Sequence, residues 1–391
     1  MPHLHIENFN PISLPNTAGD VAFDFMATSR GEGKESLIAT RYKEREFFVL
    51  HKKSGEKDLL KSDKITRPSP NFLVKHSLLA YAQASNSTIL DSNVDTAGEN
   101  VHLQTHDALK SVDFFANNFP KGTEIRLEVG FGSARHLLHQ AAANPDVLFI
   151  GLEIHKPSIE QALKQITIQH LTNLMILDYD ARLFLEFVPS NTLSRIYVHF
   201  PVPWDKKPHR RVIGDAFVNE AIRALAPSGK LELRTDSENY YRFALETYSH
   251  PPYVSFEVHK NRDIAITSKY EDRWKRMEKN IYDVTLINDL ESPEKVLEGD
   301  FSFTTNKIGD AILPAIERQL FRREWGFLHA EASFDIREGG WMVRLAMGSF
   351  DRPEHLYLIV QNGQARYFPT LPVRSSANLN AHILLNELLH G

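Results

Sequence analysis

The 391-residue chain contains no cysteine, which removes disulfides, thiolate zinc sites, iron–sulfur clusters and cysteine nucleophiles in one step. Oxygen-ligated magnesium is untouched by that absence, but the remaining chemistry must use carboxylates, amines, hydroxyls and imidazoles. No run of eighteen apolar residues is present, so no segment reads as a membrane-spanning helix. The N-terminus, Met1-Pro2-His3-Leu4-His5, has neither the basic region nor the apolar stretch of a secretory signal. The expectation is a cytoplasmic protein without a membrane partner. Positive charge is also in short supply, with 45 Lys and Arg against 50 Asp and Glu and a net charge of −5. That argues against wholesale coating by nucleic acid, whose phosphates are met by Lys and Arg. A local basic face stays allowed. Asp205 to Arg211 carries four Lys and Arg against one Asp, and Lys260 to Lys279 carries seven against four acids. Most such runs are merely solvated faces, so each needs independent support.

What the chain does have is apolar material, 42% of its residues, enough for two or three cores. From about Thr123 to Asp236 the pattern alternates strand and helix. Ile125 to Val129, Leu148 to Leu152, Leu174 to Leu177, Arg195 to Phe200 and Lys230 to Arg234 are strand-like runs. Between them, Leu137, Leu138, Ala141, Ala142 and then Ile159, Ala162, Leu163, Ile166 have helical spacing. Strands separated by single helices imply parallel pairing and a doubly wound α/β sheet. The flanks differ. Residues 1–100 mix short strands such as Glu46 to Leu50 with polar turns, and a polar break at Asn288 to Asp300 precedes strand candidates at Trp341 to Leu345 and Leu356 to Val360 and a last helix near Asn380 to Leu389. The expected organisation is a central domain over 101–290 with two smaller α+β domains, 1–100 and 291–391. Neither an internal repeat nor a low-complexity tract is visible.

Chemistry concentrates at the predicted strand ends. Glu128-Val129-Gly130-Phe131-Gly132 closes the first strand, and glycines there let backbone approach a ligand. A dinucleotide fingerprint would need Gly or Ala where Arg135 stands. Glu153 ends the second strand about twenty residues beyond the glycines, the spacing at which an acid reaches a ribose diol. Asp178 and Asp180 follow the third strand, where a carboxylate can accept from an adenine amine. Each acid alone reads as a surface residue; together, at the carboxyl ends of three strands, they favour an adenosine-containing ligand such as S-adenosylmethionine (SAM). The fourth strand runs into Phe200-Pro201-Val202-Pro203-Trp204-Asp205-Lys206-Lys207-Pro208-His209-Arg210-Arg211. Prolines fix an extended turn, Arg offers forked donors for phosphate, and an aromatic ring beside basic residues suits an extruded base. A buried Trp beside a solvated basic loop is the plainer reading of that segment taken alone. The pairs His102/His106 and His136/His139 lack a nearby acid triad and read as ordinary surface residues, and no metal is required.

Taken in order, Leu127 to Gly132, Ile150 to His155, Phe200-Pro201-x-Pro203-Trp204-x-Lys206-Lys207-x-His209-Arg210-Arg211, Arg234-Thr235-Asp236 and Ser268-Lys269-Tyr270-Glu271-x-Arg273 closely resemble the bacterial tRNA (guanine-N7-)-methyltransferase family over roughly residues 115–285. The resemblance implies a Rossmann-like class I SAM-dependent methyltransferase fold and methylation of the variable-loop guanosine at tRNA position 46. It implies a cofactor site at Glu128, Gly130, Gly132, Glu153 and Asp180, and a guanine site at Lys206, Asp236, Ser268, Lys269, Tyr270 and Glu271. Lys207, His209, Arg210, Arg211 and Arg273 would meet the tRNA backbone. One departure matters: where the family carries a proposed catalytic Asp, this chain has Val202. No catalytic residue is therefore assigned with certainty, and Asp236 and Glu271 are the candidates for stabilising the cationic product.

Two alternatives stay open on the sequence. One is methylation of an exocyclic base amine, although His199-Phe200-Pro201-Val202 lacks the Asp, Asn or Ser that such turns use to bind the amine. The other is a silent tRNA-binding protein that lost its chemistry at Val202. A homo-oligomer is also left open.

Overall fold

The computed structural model describes residues 2–31, 35–68, 71–94, 106–263, 277–304, 307–309, 312–350 and 353–390. The chain divides into two compact units, His102–Val296 and a second built from Met1–Val101 with Leu297–Gly391.

The N-terminal flank opens with β1 (His3–Ile6), β2 (Asn16–Ala18), β3 (Val21–Ser29), β4 (Glu35–Tyr42), β5 (Arg45–Ser54) and β6 (Lys57–Ser62), followed by helix α1 (Phe72–Ala84) and β7 (Ile89–Ser92). All pairings are antiparallel, β3 to β4 to β5 to β6 to β1 to β7. Leu73, Val74, Leu78 and Tyr81 of α1 close a core over Phe23, Ile38, Phe47 and Val49.

The central unit contains β8 (Leu109–Lys110), α2 (Val112–Asn117), β9 (Glu124–Val129), α3 (Arg135–Ala143), β10 (Val147–Glu153), α4 (Lys156–Ile168), β11 (Leu174–Asp178), α5 (Ala181–Phe184), β12 (Leu193–His199), α6 (Asp215–Ala224), β13 (Leu225–Thr235), α7 (Glu238–Tyr248), β14 (Val254–Lys260) and β15 (Tyr282–Asn288). Its sheet runs β14-β15-β13-β12-β9-β10-β11-β8. The strands from β8 to β13 pair in parallel, and β15 enters antiparallel to both β13 and β14. The order reverses at β9, so the carboxyl ends of β9 and β12 border the crevice where open α/β sheets bind ligands. One face carries Ile196, Val198, Leu231 and Leu233 against α6 and α7. The other carries Phe149 and Ile176 against Leu137, Ala141, Leu163 and Ile166 of α3 and α4. Gly151 is dictated by that packing, since a Cβ there would lie 2.5 Å from Leu137 and 2.9 Å from Phe131.

The C-terminal flank adds β16 (Leu320–Arg323), β17 (Gly326–Ile336), β18 (Trp341–Gly348), β19 (Glu354–Gln361), β20 (Gln364–Phe368) and the helix Ser376–His390. This repeats the plan of β2 to β6 and α1. Each copy is a short strand, a four-strand meander and a helix. Each long first strand is bulged against its neighbour, β3 between Phe23 and Met26 and β17 between Ala330 and Ala332. The copies join where β17 pairs antiparallel with β3, Asp335 opposite Thr28, and the sheet order reads outward symmetrically from that pair. Arg30 and Asp335 bridge the seam at 2.6 Å. On the faces away from the helices, Phe25, Leu37 and Phe48 of one copy meet Phe334, Tyr357 and Phe368 of the other, with Phe48 and Phe368 rings 4.2 Å apart. The flanks, expected as two separate modules, thus contribute to one unit. The repeat escapes the sequence because it lies in the order of elements and not in shared residues.

Candidate functional site

β9 ends in Glu128 and Val129, and the chain turns through Gly130 (φ 66°) and Gly132 (φ 53°) into α3. A side chain is strained at those angles, and a Cβ on Gly130 would meet nothing within 4 Å. The turn is therefore open to a ligand. Glu153, at the end of β10, clamps it: one carboxylate oxygen accepts from the Gly132 amide at 2.8 Å and the other from the amides of Ile154 and His155 at 2.8 and 3.0 Å. Asp180 follows β11 and caps α5, accepting from the Arg182 amide at 2.9 Å while the Arg182 guanidinium lies at 3.3 Å. An open glycine turn with acids at three neighbouring strand ends fits the hydroxyls and amines of an adenosine cofactor.

Glu128 is buried, and its Oε2 accepts from Nδ1 of His136 at 2.7 Å. His136, read from the sequence as a surface residue, is itself buried on the second position of α3. Burial alone would push its pKa down, yet the charge and hydrogen bond of Glu128, helped by Glu232, hold it above the ordinary value. Its ring lies 4.8 Å from Tyr197 and 4.5 Å from His199. Burial, reinforced by His136 and Arg234, keeps His199 well below the usual histidine range. His136, Tyr197 and His199 line a polar cavity of about 200 Å³ with Glu232, Arg234 and Asp283.

After β12 the loop 200–211 reverses sharply, with Phe200 and Trp204 both at positive φ. Its conformation is locked by Arg211. This residue, which the resemblance assigns to the tRNA backbone, is instead turned inward at 6% exposure. Its Nε donates to the Pro203 carbonyl at 2.8 Å, Nη2 reaches Asp205 at 3.3 Å, and the guanidinium lies over Tyr240 and Phe243 of α7. Arg210 remains outside, 5.1 Å from the Trp204 ring, and Lys206, Lys207 and His209 are exposed. Val202 is 62% exposed. Asp236, just beyond β13, pairs with Lys279 at 2.8 Å. Ser268, Lys269, Tyr270, Glu271 and Arg273 lie outside the described residues, as does His102. His106 bonds Thr167 through Nε2 at 2.9 Å.

The sequence reading missed His136, Lys279 and the inward role of Arg211. Only the first had a signal, a histidine eight residues beyond the strand-end Glu on the first helical turn. Arg211 and Lys279 are separated from α7 and Asp236 by too much chain for local spacing to connect them.

A doubly wound sheet with this glycine turn and these strand-end acids defines a Rossmann-like methyltransferase. Residues 122–284 match a family model described as "Putative methyltransferase". Over its whole length the chain is 42% identical to the tRNA (guanine-N(7)-)-methyltransferase of Wolinella succinogenes, covering 100% of both chains. It is 35% identical to the proteins of that name from Campylobacter fetus subsp. fetus and Helicobacter hepaticus, covering 100% of this chain and 99% of each relative. The chain belongs to the tRNA (guanine-N7-)-methyltransferase family. The relatives carry the flanks as well as the core.

Proposed function

We propose that the protein transfers the methyl group of SAM to N7 of a guanosine in tRNA, at variable-loop position 46, and that it does so in the cytoplasm. Full-length identity to relatives of that name carries this reading. The open glycine turn flanked by Glu128, Glu153 and Asp180 supports the cofactor half. When bound, SAM supplies an electrophilic methyl on a cationic sulfur. Glu153 holds the ribose edge, Asp180 the adenine edge and Glu128 the cationic end. Lys206 and Asp236 meet the guanine, joined by Ser268, Lys269, Tyr270 and Glu271. Lys207, His209, Arg210 and Arg273 take phosphates. Arg211 is reassigned as the residue that holds loop 200–211 in shape.

N7 of neutral guanine carries no proton and presents its lone pair on an open edge. With SAM bound, N7 would attack that methyl with its own lone pair, and no proton would have to leave the base. Alignment alone can supply about 7–11 kcal/mol of a barrier, whereas a general base contributes about 10²–10⁴-fold. Val202 in place of a carboxylate therefore does not forbid the reaction. The product base is cationic, which Asp236 stabilises with Glu271. The turn His199-Phe200-Pro201-Val202 lacks the Asp, Asn or Ser side chain that such turns use to bind an amine, which disfavours the exocyclic-amine alternative. Incubation with unmodified tRNA and methyl-labelled SAM, then digestion to nucleosides, tests the reading. Label in 7-methylguanosine supports it; label in an N-methylated exocyclic amine, or none, overturns it.

A further inference from the structure

We propose that His136 is a positioning residue for the cofactor, holding the Glu128 carboxylate through Nδ1 and letting its own proton set how strongly that carboxylate attracts a cation. The protein would thereby distinguish SAM from its demethylated product by charge, in a pH-dependent way. This rests on the reading of Glu128 as a SAM contact.

The arrangement isolates one ionisation. Around His136, Arg195 of β12 pairs with Glu232 of β13 at 2.9 Å. Arg234 of β13 pairs with Asp283 of β15 and donates to the Arg262 carbonyl. Arg262 is part of the lining of the same cavity. Burial raises the Tyr197 phenol, so it stays neutral, and His199 is kept neutral as well. His139 is exposed one turn further along α3. Glu128 and His136 are both more than nine-tenths buried as side chains and touch each other directly. Of the shifted groups facing this cavity among the described residues, His136 is the one whose proton lies against Glu128. Its pKa is raised, so the pair passes from neutral to a net negative charge as pH climbs above the ordinary histidine range.

SAM carries a sulfonium and an ammonium against one carboxylate, a net positive charge, whereas S-adenosylhomocysteine has lost the sulfonium and is net neutral. A cation brought to Glu128 competes with the His136 proton, and linkage makes the effect reciprocal. The ammonium is common to both ligands, so the difference lies with the sulfonium: SAM, bringing one more positive charge toward Glu128, expels more of the proton than the product does, and SAM affinity rises with pH more steeply than the product's.

Calorimetry on the full chain, titrating SAM and S-adenosylhomocysteine at about pH 6 and about pH 8.5 in buffers of different protonation enthalpy, reads this directly. SAM should tighten about fivefold or more across that range with proton release, the lower end of ordinary coupling, and the product about twofold or less. His136→Gln keeps a donor to Glu128, so SAM should still bind but with a flat pH profile, and His139→Gln should keep the wild-type profile. Equal pH dependence for both ligands, or an unchanged profile in His136→Gln, overturns the proposal. Should that variant not fold, wild-type SAM binding without proton release overturns it equally. A wild-type protein that binds no SAM at either pH contradicts the cofactor reading itself.

Discussion

The central unit separates each parallel strand from the next with a helix and covers both faces of its sheet. The flanking unit uses one antiparallel plan twice, a single helix per copy, and packs the bare faces of the copies on each other. Parallel strands are joined by crossover helices, and the central unit is one contiguous stretch, His102–Val296. An antiparallel seam such as β3–β17 needs no crossover, which is how residues 1–101 and 297–391 close one unit across the long insertion between them. The first plan leaves strand ends and turns converging on one crevice. The second buries its strand faces in core, and every assigned contact to cofactor or guanine lies in the central unit.

The largest expected effect tests whether the two flanks really are one unit. Phe48→Ala removes a ring lying on Tyr357 and Phe368 and should cost about 3–5 kcal/mol. Hydrogen exchange should show protection falling in β4 and β19 together, with SAM binding kept. Loss confined to residues 1–101 would separate the flanks again.

On the cofactor side, Glu153→Ala should weaken SAM by about ten- to a hundredfold, from about 1.5–3 kcal/mol for hydrogen bonds to a charged group. Its tRNA affinity should hold. Comparable damage to both would mean that Glu153 only braces the glycine turn.

Two neighbouring arginines sharpen the contrast between structure and binding within the central unit. Arg211→Ala should cost about 1–3 kcal/mol of stability through its lost bond to Pro203 and its lost cover over α7. Arg210→Ala should leave the melting temperature alone and lower tRNA affinity, losing about one unit of the log–log salt slope. Reversed phenotypes would return Arg211 to the phosphate contacts.

The legibility of the two units follows from the same physics. Strands β9 to β13 could be read because buried parallel strands are short apolar runs bounded by glycine and acid, and loop 200–211 because its Pro, Trp and basic residues occur in a fixed order. Within that loop, nothing local separates Arg210, which lies on Trp204, from Arg211, which is turned under α7. Trp341 to Leu345 was visible as a strand, but its partners were not, since antiparallel pairing across the insertion leaves no periodic mark. Phe48 and Phe368 are 320 residues apart and meet only because β3 and β17 pair.

The smallest expected effect is on pH. Burial holds His51 and His382 of the flanking unit below the usual histidine value. A depressed folded value contributes stability above the unfolded value of about 6.5 that is lost as pH falls through the folded one. In the central unit His199 behaves likewise, but His136 is raised and contributes stability below about 6.5 that is lost as pH rises, so the two partly offset. Acidification from about pH 7 to about pH 5 should therefore weaken exchange protection in the flanking unit, where both shifted histidines are depressed. No loss of protection there would mean that these histidines do not set its stability.

Val202 is the position on which the account of catalysis turns. Transfer-RNA treated with SAM and the wild-type protein, then subjected to chemical strand scission at 7-methylguanosine, reports both the reaction and its place. Cleavage at the variable loop by the wild-type protein is the predicted result, because N7 has no proton to lose. Absence of cleavage with wild type, restored by Val202→Asp, would contradict it and show that a carboxylate is required there.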